Sequence, residues 1–411
     1  MRRQFGAAVA MIVAIVLAPP APATAAPATN PVIAWDLNAQ EAIWDVGRQL
    51  PWVQGRSFAM VSGAVYDAVN AIAGRPYQPY LVAPRATGQE STDAAVATAA
   101  HRVLLALLPA QRERLVAEYA AALAEIPDGA AKQGGIAIGD QTAAAMIASR
   151  ANDGSFGDQR WVHGTEPGQW RPTPPAFASE AAWVGFVRPF VVPSAAMFRT
   201  DGPPALTSAR YAREVNEVQR LGGVDSTART PDQTEAAIWW HDRNVTEWQI
   251  KRQLAQTQRL SVLRTARMFA LVDLSVADAA IACSDDKRAW SFWRPVTAVQ
   301  LADTDGNPGT TADPTWMPLL VTPPFPDHPS GHACATAARM ATLRTFLGRD
   351  RVAFSAYSVD ADATRHFSGF AQAIDELLRA RVWGGIHFTS ASVQGGELGE
   401  EVSRYVTTRL R

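Results

Sequence analysis

Cysteine is almost missing from this chain: Cys283 and Cys334 are the only two in 411 residues. Two thiols cannot build a cysteine-rich zinc module or a disulfide framework, and no HExxH string is present. Net charge is also nearly missing. Lys and Arg total 38 against 39 Asp and Glu, a formal charge of -1, which excludes the strong basic excess of a nucleic-acid binder. Beyond the N-terminus no apolar run reaches the roughly 20 residues of a membrane span, so no stable membrane insertion of the mature chain is expected. Alternating strand patterns are scarce too, and helical periodicity prevails.

What is present is apolar, helical and long. At 47% hydrophobic and 19% charged residues, the chain can bury a large core as one or two domains. Residues 1–25 have the grammar of a secretory signal peptide: Arg2-Arg3, an apolar stretch from Phe5 to Ala18, and the small-residue site Ala23-Thr24-Ala25. The protein is therefore expected to be exported. Helices are expected over Ala94–Leu108, Gln111–Ile126 and Ala130–Ala151, then from a Thr207 cap to Leu221, and from Thr230-Pro231 towards Gln256. RSFAMVSGAVYDAVNAI (Arg56–Ile72) parallels RMFALVDLSVADAAIAC (Arg267–Cys283), with Phe58 matching Phe269 and Asp67 matching Asp278. The expected fold is all-α: two related helical bundles packed together, residues 26–204 and 205–411, with the working site in the C-terminal one. Trp161–Pro204 reads as an aromatic-rich crossover. Asp303–Pro326 reads as a long loop able to line the entrance to a site.

Three short runs carry chemistry: KRAWSFWRP (Lys287–Pro295), PSGH (Pro329–His332) and RVWGGIH (Arg381–His387). Each stands at a helix-start signature. Pro295 suits the first position of a helix. Ser330 and Gly331 open a run that stops at Gly348, and Thr389 or Ser390 can cap the final helix. Helix N-termini attract anions through free amides and the helix dipole. Lys287, Arg294 and Arg381 supply three positive charges, Ser330 a hydroxyl, Gly331 an amide, and His332 and His387 acid–base or ligand nitrogens. That donor set suits a tetrahedral oxyanion, whose burial requires matched charge. His328 and His332 stand four apart, but Pro329 between them argues against a shared helix face and a zinc site.

In these runs the chain resembles the vanadium-dependent haloperoxidases, which share a superfamily with soluble acid phosphatases and membrane phosphatidic-acid phosphatases. The shared pattern is K, six residues, RP; then PSGH; then R, three residues, G, one residue, H. GQWRPTPPAF (Gly168–Phe177), WVGFVRPF (Trp183–Phe190) and DGNPGTTADPTW (Asp305–Trp316) look like stretches of secreted bacterial members. Ala380 stands where a serine usually precedes the arginine. The resemblance implies vanadate as cofactor, with His387 as the ligand to the metal. Lys287, Arg294, Ser330, Gly331 and Arg381 would hold its oxygens, and His332 would act as acid–base group. It implies hydrogen peroxide, a halide and a small organic acceptor as reactants. The alternative it leaves open is a secreted acid phosphatase with a phosphohistidine at His387. Phe325 matches the chloroperoxidase-like members. Asp327-His328 departs from them, either as an ionisable pair beside the site or as a solvated loop pair. Trp290, Trp293 and Trp383 are expected to wall the pocket or to pack, and a Cys283–Cys334 bridge is expected if the runs converge.

Overall fold

The computed structural model describes residues 30–241 and 243–411. The segment read as a signal peptide lies outside them. Among the described residues there are thirteen α-helices. The first five are α1 (Pro31–Gln40), α2 (Pro51–Ile72), α3 (Thr92–Leu107), α4 (Arg112–Ala124) and α5 (Ala130–Arg150). Then follow α6 (Ala209–Gly222), α7 (Pro231–Trp239), α8 (Arg243–Thr257), α9 (Val262–Trp290) and α10 (Pro295–Gln300). The last three are α11 (Gly331–Leu347), α12 (Phe370–Trp383) and α13 (Thr389–Arg409). The all-α expectation holds, with one addition. A hairpin of β1 (Phe354–Ser358) and β2 (Ala363–Phe367) pairs antiparallel, Phe354 opposite Phe367. No single described helix is long and apolar enough to cross a membrane.

Local signals account for most helix ends. Ser330 caps α11 by accepting from Ala333 N–H, and Gly348 closes it at φ +70°. Pro295 opens α10. Thr230 and Gln233 form a reciprocal capping box on α7. Three expectations shift. Ser208, one residue after Thr207, caps α6 through Tyr211 N–H. The run from Thr230 divides into α7 and α8. The final helix takes no cap from its own hydroxyls: Ser390 Oγ and N–H donate to Glu214 at 2.6 and 3.0 Å, and Thr389 Oγ1 to Glu217 at 2.7 Å. Carboxylates from α6 thus fix the start of α13 from outside.

The parallel segments form α2 and α9, which pack against each other at the centre. Their matched positions play matched parts. Asp67 accepts three consecutive backbone amides, Tyr80, Leu81 and Val82, at 2.7–3.0 Å. Asp278 does the same for Phe190, Val191 and Val192 at 2.5–2.8 Å. Ser62 and Asp273, equivalent positions 211 apart, hydrogen-bond to each other, and the Lys251 ammonium lies 4.7 Å from both Phe58 and Phe269 rings. Equivalent residues can meet in this way only near an axis relating the two copies. One apolar core spans both copies, from Val32 through Leu410.

One glycine contact positions the third motif. Gly385 adopts φ +75°, and a Cβ there would lie 2.3 Å from Gly222 O. The end of α6 therefore rests directly on the turn that delivers His387. Gly348 has a similar φ, with nothing within 4 Å of its would-be Cβ. Gly348→Ala should cost about 1–2 kcal/mol of conformational strain. Gly385→Ala should cost clearly more, because Gly222 must also move. Urea unfolding of the two variants checks this, and equal losses would contradict the close-approach argument.

Candidate functional site

The three motifs converge. Lys287 sits on the last turn of α9, which ends at Ser291 in a left-handed conformation, φ +41°. That reversal returns the chain to Arg294, the residue before α10. Ser330 and Gly331 start α11, Arg381 ends α12, and His387 lies in the α12–α13 turn. Lys287, Arg294, Ser330, Arg381 and His387 are all buried, and Gly331 and His332 are half-buried.

Backbone carbonyls hold the cations. Lys287 Nζ donates to the carbonyls of Pro326, Asp327 and Pro329, at 2.8, 2.9 and 2.5 Å. All three ammonium protons are thus engaged, so in this geometry the lysine offers charge rather than a free donor. Burial lowers its pKa from 10.5 to about 8. Arg294 donates through Nε to Phe325 O at 2.8 Å and through Nη1 to Ile386 O at 2.7 Å. Its Nη2 is buried without a hydrogen-bond partner. Arg381 is fully buried, with Nη1 3.5 Å from Trp240 O. The Phe325 ring stands 5.3 Å from Lys287 Nζ and 5.2 Å from the Arg294 guanidinium.

His387 is oriented by a residue whose role the sequence does not reveal. Its Nδ1 lies 2.8 Å from Asp327 Oδ1, and its Nε2 3.2 Å from Arg294 Nη1. A guanidinium only donates, so Nε2 carries the lone pair and Nδ1 carries the hydrogen, given to the carboxylate. Burial, then Arg294, Lys287 and Arg381, push His387 well below the ordinary histidine range. Burial pushes Asp327 up to about 7, against the pull of Arg294 and Lys287. The result is a neutral imidazole whose Nε2 lone pair faces the Arg294 guanidinium. Carboxylate–histidine pairs of this kind orient metal-binding histidines.

Several expectations are corrected here. Asp327-His328 is not a solvated pair, because both residues are fully buried. His328 packs edge-on against Trp290, contacts Thr200 Oγ1 at 3.1 Å, and is lowered to about 3 by burial, so it stays neutral. The motif tryptophans do not wall the cavity: Trp293 packs in a separate apolar cluster with Tyr211 and Phe388, and Trp290 is partly exposed. Trp44, Trp52, Trp161 and Trp248 line it instead. Cys283 and Cys334 do come together as expected, but as free buried thiols, with Cys283 Sγ donating to Pro329 O at 3.7 Å. His241, given no role from sequence, stacks on His332 with ring centres 6.2 Å apart.

Lys287, Gly331, His332 and His387 face one cavity of about 340 Å³. Its space fits a tetrahedral oxyanion at the motif end. A Cβ on Gly331 would meet only Lys287 Cε, at 4.0 Å, so the first-turn amides of α11 can be approached closely. Arg294 Nη2 lacks a partner, and Ser330 Oγ, which accepts from Ala333 N–H, keeps its proton to donate. Lys287 and Arg294 stand beside the carboxylate of Asp327, and with Arg381 they make a cationic site suited to an anion. Among the described residues no cluster of His, Cys, Asp or Glu could hold a metal cation by itself. A metal carried inside an oxyanion needs only the single histidine found here.

Comparison with known proteins agrees with this geometry. Residues 267–411 match the family described as the VCPO second helical-bundle domain. The vanadium chloroperoxidase of Curvularia inaequalis is 31% identical over 179 residues, which are 35% of this chain and 29% of that protein. The chain thus matches less than a third of that relative's length. A solved bacterial vanadium-dependent iodoperoxidase superposes with a TM-score of 0.76 at 24% identity, covering 92% of this chain and 95% of its own. A bacterial vanadium-dependent chloroperoxidase in its apo form gives a TM-score of 0.70 at 16% identity, with coverages of 87% and 92%. At such identities the structures speak for the fold, and the domain match speaks for the lineage. Residues 267–411 thus carry this second helical-bundle domain, and the chain as a whole shares the fold of the solved bacterial vanadium-dependent haloperoxidases.

Proposed function

We propose that the protein is a vanadate-dependent peroxidase that oxidises halide with hydrogen peroxide. The observation that carries this reading is His387: a neutral imidazole, anchored by Asp327, with its Nε2 facing the Arg294 guanidinium. Vanadate held by Arg294, Arg381, Ser330 and Gly331, with Nε2 of His387 on the metal, would supply Lewis-acid activation of peroxide without redox change at the metal. The chain's own contributions follow from position. Arg294 and Arg381 neutralise the oxyanion. Lys287, its protons already engaged, adds a field that draws electron density from peroxide. His332, at the start of α11 on the cavity side, takes a proton from incoming peroxide at an imidazole nitrogen and returns one to the departing oxygen. Phe325 covers the cations and keeps water from them. The haloperoxidase names of the relatives favour this reading over a phosphatase. The N-terminal segment supports an exported enzyme.

Purified protein incubated with orthovanadate and desalted should retain about one vanadium per chain and oxidise bromide only with peroxide present. His387→Ala should lose both properties while melting as a folded protein. Retained phosphomonoesterase activity with no halide oxidation would overturn the proposal. Asp327→Ala should weaken vanadate retention by roughly 10–100-fold, the range for losing an orienting partner of a metal-bound histidine. Titration against vanadium content measures it, and unchanged affinity would contradict the orienting role.

The lysine gives a pH test. Its folded pKa is depressed to about 8, so its charge is present below that pH and lost above it. Anion binding gains from that charge. Affinity for tungstate, whose charge is constant here, should fall by up to about tenfold per pH unit above about 8. The apo protein should move in the opposite direction, gaining stability from about pH 8 towards 10.5, where the unfolded chain binds the extra proton. Calorimetric titration of wild type and Lys287→Gln checks the first effect. A decline of equal steepness in both would remove Lys287 from the account.

A further inference from the structure

The cavity is larger than peroxide or a halide requires, and it continues away from the motifs along two helix faces. On α11 it is lined by His332, Ala335 and Arg339, and on α9 by Lys287, Ala280, Val276 and Asp273. These spacings follow single helix faces. At 1.5 Å per residue, Arg339 lies about 10 Å along α11 from His332. Trp52, Phe58 and Trp248 form apolar walls, with the Phe58 and Trp248 rings 4.4 Å apart. Exposed Pro51, His241 and Asp360 mark where it meets solvent. A volume of about 340 Å³ lies at the lower end of the range for small-molecule sites, roughly 300–1,000 Å³.

The far end carries a polar group without a matching partner. Arg339 is 2% exposed. Its Nε lies 3.0 Å from Glu247 Oε2, but its Nη1 has no hydrogen-bond partner among the described residues. Arg339 is part of the cavity lining, and a buried guanidinium with an unused donor favours a ligand acceptor beside it.

We propose that this cavity binds the organic acceptor itself: an electron-rich aromatic compound of two or more rings, with a carbonyl or carboxylate on Arg339 and the opposite ring beside His332 and Lys287. Halogenation then occurs on a held substrate and not only through released oxidant. With hydrogen peroxide as oxidant the step balances as ArH + X⁻ + H₂O₂ + H⁺ giving ArX + 2 H₂O. Peroxide is reduced by two electrons, halide is oxidised to the level of X⁺, a C–X bond replaces C–H, and the ring proton ends in water. This step rests on the peroxidase reading above, whereas binding does not.

The test separates the two. 6-Hydroxy-2-naphthoate, whose polar ends stand about 10 Å apart on a flat ring system, is titrated into vanadate-free protein by calorimetry and tryptophan fluorescence. Saturable binding below about 100 µM is expected. It should weaken at least tenfold in Arg339→Gln and in Ala280→Phe, which fills the middle of the cavity. Ala280→Phe carries the comparison if loss of the Glu247 partner unfolds the arginine variant, with thermal melts reporting folding. In the vanadate-loaded enzyme, bromination should give a regioisomer ratio different from hypobromite alone, and excess monochlorodimedone as scavenger should not restore that ratio. Absent or millimolar binding, or binding unchanged by Ala280→Phe, would overturn the cavity assignment. Binding as expected with no halide oxidation would overturn the peroxidase reading and leave the cavity standing.

Discussion

Concentrating positive charge in a dry interior is the constraint on which the rest of this structure depends. Lys287, Arg294 and Arg381 are each at most 3% exposed, and burying such groups unpaired is prohibitive. For Lys287 and Arg294 the fold leans on dipoles more than on acids. It uses carbonyls: Pro326, Asp327 and Pro329 on Lys287, Phe325 and Ile386 on Arg294, and Trp240 near Arg381. Carbonyl dipoles stabilise and aim a cation without cancelling its charge. The carboxylate of Asp327 is directed at His387 and stands 3.9 Å from Arg294. Positive charge is therefore left over for an anion, and the loops before α11 and after α12 are shaped by the need to present those carbonyls.

The internal duplication explains why only one half bears this cluster. α2 and α9 are related by an offset of 211, seen in the Ser62–Asp273 contact and the matched roles of Asp67 and Asp278. By that offset the counterpart of Lys287 is position 76 (287 − 211), which is Pro76. α2 has already ended at Ile72, and Gly74 adopts φ +83°. A proline cannot extend the helix or carry a charge. α9 instead continues to Trp290 before turning back at Ser291. The difference between a structural copy and a working copy is thus nearly two helical turns.

Much of this was legible because local chemistry encodes it. Ser330, Gly348, Pro295 and the Thr230–Gln233 box act through bonds within a few residues, so helix ends and motif placement could be read from the sequence. What escaped involves partners far apart in the chain. Asp327 meets His387 across 60 residues, and Glu214 reaches Ser390 across 176. Nothing next to Asp327 announces its target; the only sign was its departure from the family's usual small residue. For the motif tryptophans the sequence left walling and packing open, since position in a motif does not say which side of the backbone faces the cavity, and Trp293 packs. The thiols of Cys283 and Cys334 converge because α9 and α11 pack, yet closeness alone does not make a bridge.

Phe325 joins these two levels. Its face meets both Lys287 and Arg294, and Trp52 of α2 meets it edge-on at 6.0 Å. An aromatic face offers negative electrostatic potential to cations while excluding water from them, so the ring partly stabilises the cluster without lowering its net charge. Trp52 in turn comes from α2, the copy with Pro76 at the position matching Lys287. The N-terminal half therefore remains part of the chemistry as a wall. Trp52 thus backs the ring that shields both cations. One ring therefore stands both in the wall of the cavity and against the two cations.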